Sequence, residues 1–242
     1  MRGMLLIARR ELMAYVNSIW GYVVVVGVLV LNGLFFNAFA VTSRPRVSSD
    51  VLEDFFYYSS GFITVGGILL SMRLLAEERQ TGTMNLLDSS PLSDAQIVGG
   101  KFLSAFLFLS GMTLMTLYMP ALIFVNGKVS LGHIAAGYTG LLLAGAAAVA
   151  IGTFGSSLVR SQLVAIVIGA FFLVFSALSW MLGRVVDPPM DDLVPYLSIY
   201  DAHFIQTFAK GRINTEDVIY YLSVTFVFLL LSTRVLSSRR WK

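Results

Sequence analysis

The sequence predicts an all-α integral membrane protein with six transmembrane helices. Of its 242 residues, 57% are hydrophobic and 13% are charged, and the mean hydropathy is +0.78. Soluble domains carry about 25% charged residues, so this much apolar surface does not fit inside one soluble core. Apolar runs of about 20 residues are long enough to cross a bilayer as helices. We assign six such runs, at about 19–41, 55–72, 102–125, 131–159, 163–182 and 218–236.

Residues 2–18 have the pattern of an amphipathic helix lying at the membrane surface. Arg2, Arg9 and Arg10 would then lie near anionic lipid head groups. The alternative is a direct extension of the first transmembrane helix into the cytoplasm. Charged residues interrupt the first apolar run and no small-residue cleavage site follows, so a cleavable signal peptide is not expected. The predicted apolar side of the helix consists of Leu5, Ala8, Leu12, Tyr15, Val16 and Ile19.

Lysine and arginine residues are divided unevenly between the two sides of the membrane. The side that holds both termini and the segment 77–101 carries eleven of the seventeen, and the other side carries six. Because the cytoplasmic side is the one enriched in these residues, we expect both termini in the cytoplasm and an outer segment, 183–217, on the other side. Nucleic-acid binding is not expected, since no basic face is left once the spans are removed.

The segment 77–101 is the longest ordered polar stretch between two predicted spans. Residues 72–80 can continue the second span as a helix, which Gly82 would end in the left-handed conformation. Ser93 and Gln96 have the spacing of a capping box, which predicts that the next helix starts at this point. The segment is therefore expected to hold a helix on each side of a short connection.

The connection itself is predicted to be a short helix at 84–88, capped by Thr83. It carries Met84, Leu86 and Leu87 at a cytoplasmic tip. Exposed apolar tips usually mark a surface for a partner protein. The alternative is that this short helix folds back onto the membrane surface.

The fourth span is rich in small residues. Gly140, Ala144, Ala148 and Gly152 lie four positions apart, a spacing that lets another helix approach closely. Packing within the chain and packing between subunits both fit this pattern. Only His133 brings an ionisable group near a span, whereas ion-coupled transporters usually need buried acids or histidines. Energy for any transport is therefore expected from elsewhere.

In the outer segment, Ser198 can cap a helix over about 199–210 that Gly211 ends. Such a helix is too short to cross the bilayer, which favours an interfacial position. Tyr200, Phe204 and Phe208 would line up on one of its faces. His203 has no cysteine or carboxylate neighbours in a motif, so we interpret it as a polar surface residue rather than a metal ligand.

Sequence motifs of catalytic sites are missing from the chain. It has no cysteine, no H-E-x-x-H and no G-x-S-x-G. Gly82 stands where an E-E-x-x-x-R motif would need arginine, and neither Gly-Lys pair has the first glycine of a P-loop. We expect no catalytic residue, metal or cofactor on this chain, and an intramembrane enzyme is the least favoured alternative.

The run E-E-R-x-x-G-T-x-x-L-L-x-x-x-P-L-S at 77–93, followed by I-V-x-G-K, resembles the signature of ABC-2 permeases of ATP-binding-cassette transporters. Six spans and an N-terminal surface helix agree with that class over essentially the whole chain. The stretch PYLSIYDAHFIQTFAKGRINTEDVIYYLS at 195–223 is similar to the permease branch associated with gliding motility. In the resembling class the outer segment forms re-entrant helices.

The resemblance implies the permease subunit of an exporter in a bacterial inner membrane. A separate ABC ATPase subunit with ATP and magnesium would dock on 77–101, a second permease copy or homologue would complete a dimer, and lipid would surround both. Asn85 stands where many relatives have glutamate. A subunit that turns ATPase motion into a mechanical or signalling output is the alternative. The implied coupling residues are Glu77, Glu78, Arg79, Thr81, Gly82, Thr83, Met84, Leu86, Leu87 and Pro91.

Overall fold

The computed structural model describes residues 2–40, 47–84, 92–126, 129–182 and 194–240. Within these ranges the chain forms nine α-helices and no strand, which confirms the all-α class. Short helical turns at Phe36–Ala40, Pro195–Leu197, Asp201–Ile205 and Phe208–Lys210 complete the described elements. The helices are α1 Arg2–Val16, α2 Ile19–Phe35, α3 Ser48–Ser71, α4 Arg73–Thr81, α5 Asp94–Met115, α6 Tyr118–Asn126, α7 Leu131–Leu158, α8 Gln162–Leu182 and α9 Thr215–Arg240.

Six stretches of the described chain are long and apolar enough to cross a membrane, as the sequence predicts. An even number of crossings places both ends of the chain on one side. We call the side that carries α1, α4 and the end of α9 the terminal face, and the side that carries residues 194–211 the opposite face. The six stretches are Ile19–Ala38, Ser48–Thr81, Asp94–Val125, Leu131–Leu158, Gln162–Ser179 and Thr215–Ser238.

The second span is longer than its apolar run. Met72 joins α3 to α4 in a helical conformation, and its N–H donates to the carbonyl of Ile68 at 2.9 Å. The resulting 34-residue helix is about 51 Å long, against a hydrocarbon core of about 30 Å. The predicted span, 55–72, covered only the part that lipid would surround. Helical hydrogen bonds extend well beyond it at both ends, because backbone pairing does not require apolar side chains.

The third span is broken, whereas the sequence analysis expects one continuous helix over 102–125. Helix α5 ends at Met115 and α6 begins at Tyr118. Pro120 explains the break, because proline has no N–H and its ring clashes with the carbonyl four residues earlier. That carbonyl belongs to Thr116, the residue at the break.

Helix α7 is the centre of the bundle and packs against α3, α5, α8 and α9. Its small residues lie under large side chains of neighbouring elements. A Cβ atom on Gly137 would lie 2.2 Å from the ring of Phe56, and one on Gly140 would lie 2.5 Å from Phe208. The small-residue pattern of the fourth span is therefore used for packing within the chain.

Helix α1 packs along α5 with part of its predicted apolar side. Ala8 and Tyr15 of that side are buried together with Ile7, whereas Leu5 is 59% exposed and Ile19 is 83% exposed. The contact is close because Gly100 of α5 lies against the Met4 carbonyl and Ile7. The exposed apolar edge agrees with an interfacial helix.

Candidate functional site

Residues 77–84 of the motif lie at the end of α4 and just beyond it, on the terminal face, and residues 92–93 lie directly before α5. Glu77 accepts two hydrogen bonds from Arg73, both at 2.7 Å, one turn earlier in the helix. The same guanidinium donates to the hydroxyl of Ser18, at the junction of α1 and α2, at 3.2 Å. Glu77 thus orients an arginine that ties the second span to the first.

Glu78 belongs to a buried ion-pair cluster that joins three helices. Its carboxylate lies 2.8 Å from the ammonium of Lys101 and 3.3 Å from the guanidinium of Arg10. The same ammonium lies 3.2 Å from Glu11 of α1. Lys101 is only 2% exposed, so its charge is stabilised almost entirely by these two carboxylates. The cluster fastens α1, α4 and α5 together.

The charges in this cluster control the ionisation of Glu11. Burial opposes the charged form, but Lys101 and Arg10 outweigh it and hold the pKa of the Glu11 carboxyl below its usual value. Glu11 therefore stays ionised at neutral pH. From the sequence, Lys101 is expected only at the return into the third span, because no local pattern shows that its side chain is buried.

Arg79 and the backbone of α4 are attached to the end of α7. The guanidinium of Arg79 donates to the carbonyl of Ser157. The hydroxyl of Ser156 accepts from the N–H groups of Leu75 and Ala76, at 3.0 and 2.9 Å, and donates at 2.9 Å to the carbonyl of Met72, the residue that joins α3 to α4. Glu78 and Arg79 contact other helices and Glu77 orients Arg73, so these three residues hold the base of the motif. Their contact with a partner stays a prediction.

The next residues of the motif end α4 and reach solvent. Gly82 has φ +76° and ends the helix in the left-handed conformation, as predicted. Thr81 and Thr83 are exposed, and their hydroxyl oxygens lie 2.9 Å apart. Met84 is half-buried against the cluster that contains Leu75 and other apolar side chains of the terminal face.

The capping box at the start of α5 is present as predicted. The Ser93 hydroxyl accepts from the Gln96 N–H at 3.3 Å, and the Gln96 side chain accepts from the Ser93 N–H at 3.2 Å. Leu86, Leu87 and Pro91, and with them most of the predicted short helix, lie outside the described residues. Their predicted role in coupling stays a prediction.

A long apolar groove runs along α3 between α2 and α8. Its larger part has a volume of about 670 Å³ and lies toward the terminal face. A second part of about 190 Å³ continues along α3 and α8, and Val65, Leu69 and Ile166 line both. Most lining residues are aliphatic or aromatic, and the polar ones lie at the terminal end except for Tyr200, which lies at the other. That polar end consists of Tyr15, Arg73, Gln80, Ser161 and Gln162.

Residues 194–211 form a folded layer on the opposite face, although not the regular helix that the sequence predicts. Ser198 caps the N–H of Asp201 at 3.0 Å, and Gly211 has φ +75°, both as expected. Between them lie a π-helical turn and a 3₁₀ turn. Side-chain hydroxyls bind backbone carbonyls at the start of the layer: Tyr221 donates to Ile199, the first residue of the predicted helix, at 2.5 Å, and Ser176 donates to Leu197 at 2.8 Å.

His203 is buried in this layer, so its interpretation as a surface residue is wrong. It is 2% exposed and stacks on Tyr220, with ring centroids 3.7 Å apart. Its Nδ1 lies 2.7 Å from a carboxylate oxygen of Asp217, and its Nε2 lies 3.0 Å from the carbonyl of Tyr196. A carbonyl only accepts, so Nε2 carries a proton. The partner carboxylate is fourteen positions later, too far away for a local motif to reveal.

This geometry does not make His203 a catalytic base or a metal ligand. Both ring nitrogens face protein partners, so neither is directed at a substrate. Among the residues that the structure describes, no three histidine, aspartate or glutamate side chains gather in a way that could hold a metal ion. The described contacts are those of a packing and anchoring residue.

A family model for ABC-2 family transporter proteins matches residues 33–241. The chain belongs to the ABC-2 family. No curated protein matches it. The matched range begins near the end of the first predicted span and covers the other five. It includes the motif at the end of α4, the α3 and α8 sides of the groove, and the layer on the opposite face.

Membership of the ABC-2 family makes this chain a membrane subunit of an ABC transporter. Such a subunit is a permease, is not itself catalytic, and works with an ABC ATPase in a membrane. The motif residues that the structure describes fall into two groups. Those from Glu77 to Arg79 bind the bundle, and Thr81, Gly82 and Thr83 lie at the surface.

Two features of this ABC-2 chain were not found from the sequence. The Lys101 cluster joins side chains that are up to 90 positions apart, and the groove is lined by three separate spans. Neither has a local pattern. The glycines at 99 and 100 are the only signal near the first, since they indicate a close helix contact beside the lysine.

Proposed function

We propose that this ABC-2 chain is the permease subunit of an exporter, driven by a separate ATPase that docks on the segment 77–101. The observation that carries the proposal is the end of α4. A helix continuous with the second span reaches the terminal face, stops at Gly82, and leads directly into the apolar stretch that holds Leu86 and Leu87. ATP and magnesium would bind to the partner, and this chain would bind no cofactor.

The distribution of charge supports a cytoplasmic position for the docking segment. Eleven of the seventeen lysines and arginines fall on the terminal face or in its flanking segments, which is the pattern of a cytoplasmic side. On this proposal both termini are cytoplasmic and residues 194–211 face outward, in the inner membrane of a bacterium.

The groove supports an amphipathic cargo. It is apolar over most of its length and polar at the terminal end, where Arg73, Gln80 and Gln162 lie. Pockets of this size that are mostly apolar, with a few polar groups, are typical of small-molecule sites. Its open side lies between α2 and α8, where a second permease copy, identical or homologous, would enclose the path. The stretch 195–223 supports a place in the gliding-motility-associated branch.

The docking proposal is tested by co-purification with ATPase subunits encoded by neighbouring genes. We expect the wild-type chain to retain an ATPase and the double variant Leu86→Asp plus Leu87→Asp to lose at least nine-tenths of it, because carboxylates would be buried in an apolar contact. The matched control is Ile213→Asp, an exposed apolar residue on the opposite face. It should retain the ATPase fully.

Failure of the wild-type chain to bind any of these ATPases would contradict the docking proposal. Retention of the ATPase by the double variant would show that the contact lies elsewhere on the terminal face. A non-transporting, mechanical subunit is separated from an exporter by a second assay. Reconstituted complex should move a labelled amphiphile across vesicles in an ATP-dependent way if it is an exporter.

A further inference from the structure

The groove along α3 ends at Tyr200 on the opposite face. Tyr200 lines the smaller part of the groove together with residues of α3 and α8, such as Val65 and Ala177. It is the one residue of the layer 194–211 among those described as lining either part. The aromatic ring therefore lies between the groove and the opposite side of the membrane.

A hydrogen bond holds the ring in this position. The Tyr200 hydroxyl bonds to the hydroxyl of Thr64, which is fully buried in α3. The Thr64 proton is already directed at its own helix, with the Ser60 carbonyl at 2.8 Å. Tyr200 is therefore the donor and Thr64 the acceptor. Burial raises the pKa of Tyr200, so its hydroxyl stays protonated and able to donate.

The rest of the layer is anchored independently of this bond. Tyr220 and Tyr221 donate to the carbonyls of Leu197 and Ile199, at 3.0 and 2.5 Å. His133 contacts the carbonyl of Ala209 at 2.7 Å at the far end of the layer. The backbone on both sides of Tyr200 is thus held by other side chains. Movement of the Tyr200 ring requires only one side-chain hydrogen bond to break.

We propose that Tyr200 is the closing residue of the groove, and that its hydrogen bond to Thr64 must break for cargo to leave on the opposite side. The release of cargo past Tyr200 rests on the proposed function, whereas the closure of the groove by Tyr200 does not depend on it. Tyr200 acts by position, since it is a plug held by a single polar contact. This proposal gives a role to a residue that lies outside the coupling motif.

The absence of cysteine from the natural sequence gives a direct test. Leu69 lines both parts of the groove and lies deeper than Thr64, toward the terminal face. In the full-length Leu69→Cys variant in cell membranes, the only thiol reports water in the groove, because maleimides react with thiolates and these form only where water reaches. A membrane-impermeant maleimide is added to each side of the membrane separately.

We expect slow labelling of Leu69→Cys from the opposite face. Adding Tyr200→Phe should accelerate that labelling about fivefold, the factor expected for the loss of one hydrogen bond. Adding Thr64→Val, which removes the acceptor and keeps the shape, should have the same effect. The matched control is Tyr220→Phe, which removes a hydroxyl that anchors the layer but does not line the groove. It should leave the labelling rate within about twofold of the parent, because Tyr221 and His133 still anchor the layer.

Fast labelling of the parent variant from the opposite face would overturn the inference, because the groove would then be open at that end. Unchanged labelling in both Tyr200→Phe and Thr64→Val would also overturn it. Each variant is first checked for a monodisperse elution profile in detergent, and two variants on separate helices guard against one that fails to fold. The assay needs no ATPase, so closure can hold or fail independently of the docking proposal.

Discussion

Lys101 is the residue whose environment most constrains the terminal face. Its ammonium is almost fully buried and is neutralised by Glu11 and Glu78, which come from two other helices. Removing one member of such a cluster leaves the other charges without compensation, which is more costly than losing an exposed pair. The cluster therefore determines how α1 sits on the bundle.

We predict that Lys101→Met destabilises the protein by about 3 kcal/mol, because two partly buried carboxylates lose their shared cation while the apolar stem is kept. The measurement is the free energy of unfolding in detergent, followed by tryptophan fluorescence during denaturant titration. Lys210→Met, at an exposed lysine of the opposite face, is the control and should change stability by less than about 0.5 kcal/mol. Equal losses in both variants would contradict the role given to the cluster.

Single residues were predictable where the physics is local. Gly82 and Gly211 end their elements with positive φ, as helix-stop chemistry requires, and Ser93 caps α5. Lys101 and His203 were not predictable, because their partners are distant in sequence and each residue looks like an ordinary polar one in its own segment. A one-dimensional pattern shows which residues are polar but not which of them the fold buries.

At the scale of elements, helix–helix distance is controlled by glycines on α7. Gly137 faces Phe56 of α3 so closely that no Cβ atom fits without displacement of the ring. Gly111 of α5, in contrast, has no atom within 4 Å of the place where a Cβ would be built. Comparing alanine substitutions at the two positions therefore separates the effect of packing from the intrinsic preference of helices for alanine over glycine.

We predict that Gly137→Ala costs about 1–3 kcal/mol, since it overpacks a filled contact between α3 and α7. Gly111→Ala should be neutral or stabilising by up to about 1 kcal/mol, because alanine favours the helix and meets nothing. Both are measured as unfolding free energies in the same detergent. A cost at Gly111 equal to that at Gly137 would show that the helix backbone, and not the Phe56 contact, is responsible.

The sequence predicted the number and order of the long elements better than their shapes. The six spans can be predicted from the apolar runs, because a run of that length must either cross the membrane or be buried in a protein core. The break at Thr116 was missed even though Pro120 was visible, because the apolar run continues through it. The irregular turns of 201–210 were missed because the hydroxyl of Tyr221 on α9 binds the carbonyl of Ile199, which a regular helix would pair internally.

At the scale of the whole molecule, family and topology follow from the sequence, but the groove does not. The ABC-2 resemblance rests on a contiguous motif and on six apolar runs, and both can be recognised in the sequence without the structure. The groove is a space between α2, α3 and α8. No residue in it is unusual by type, so only the packed bundle reveals it.

The orientation in the membrane gives a prediction for the molecule as a whole. Ile213 lies on the opposite face and Ser237 lies on the terminal face, so the single variants Ile213→Cys and Ser237→Cys place one thiol on each side. We expect an impermeant maleimide to label intact cells only through Ile213→Cys, and Ser237→Cys to react only after permeabilisation, because the lysine- and arginine-rich side faces the cytoplasm. The reverse pattern would invert the proposed direction of every segment.

The continuous helix from Ser48 to Thr81 has a mechanical consequence. It carries Thr64, the acceptor for Tyr200, and it ends beside Gly82 at the docking segment, with no loop between the two. If this rod pivots by about 5° about its Ser48 end, Thr81 moves by about 4 Å and Thr64, half-way along, moves by about 2 Å. It is a lever arm: a push on the terminal face reaches Thr64 at about half its size, which is still enough to break the hydrogen bond that holds Tyr200 in place.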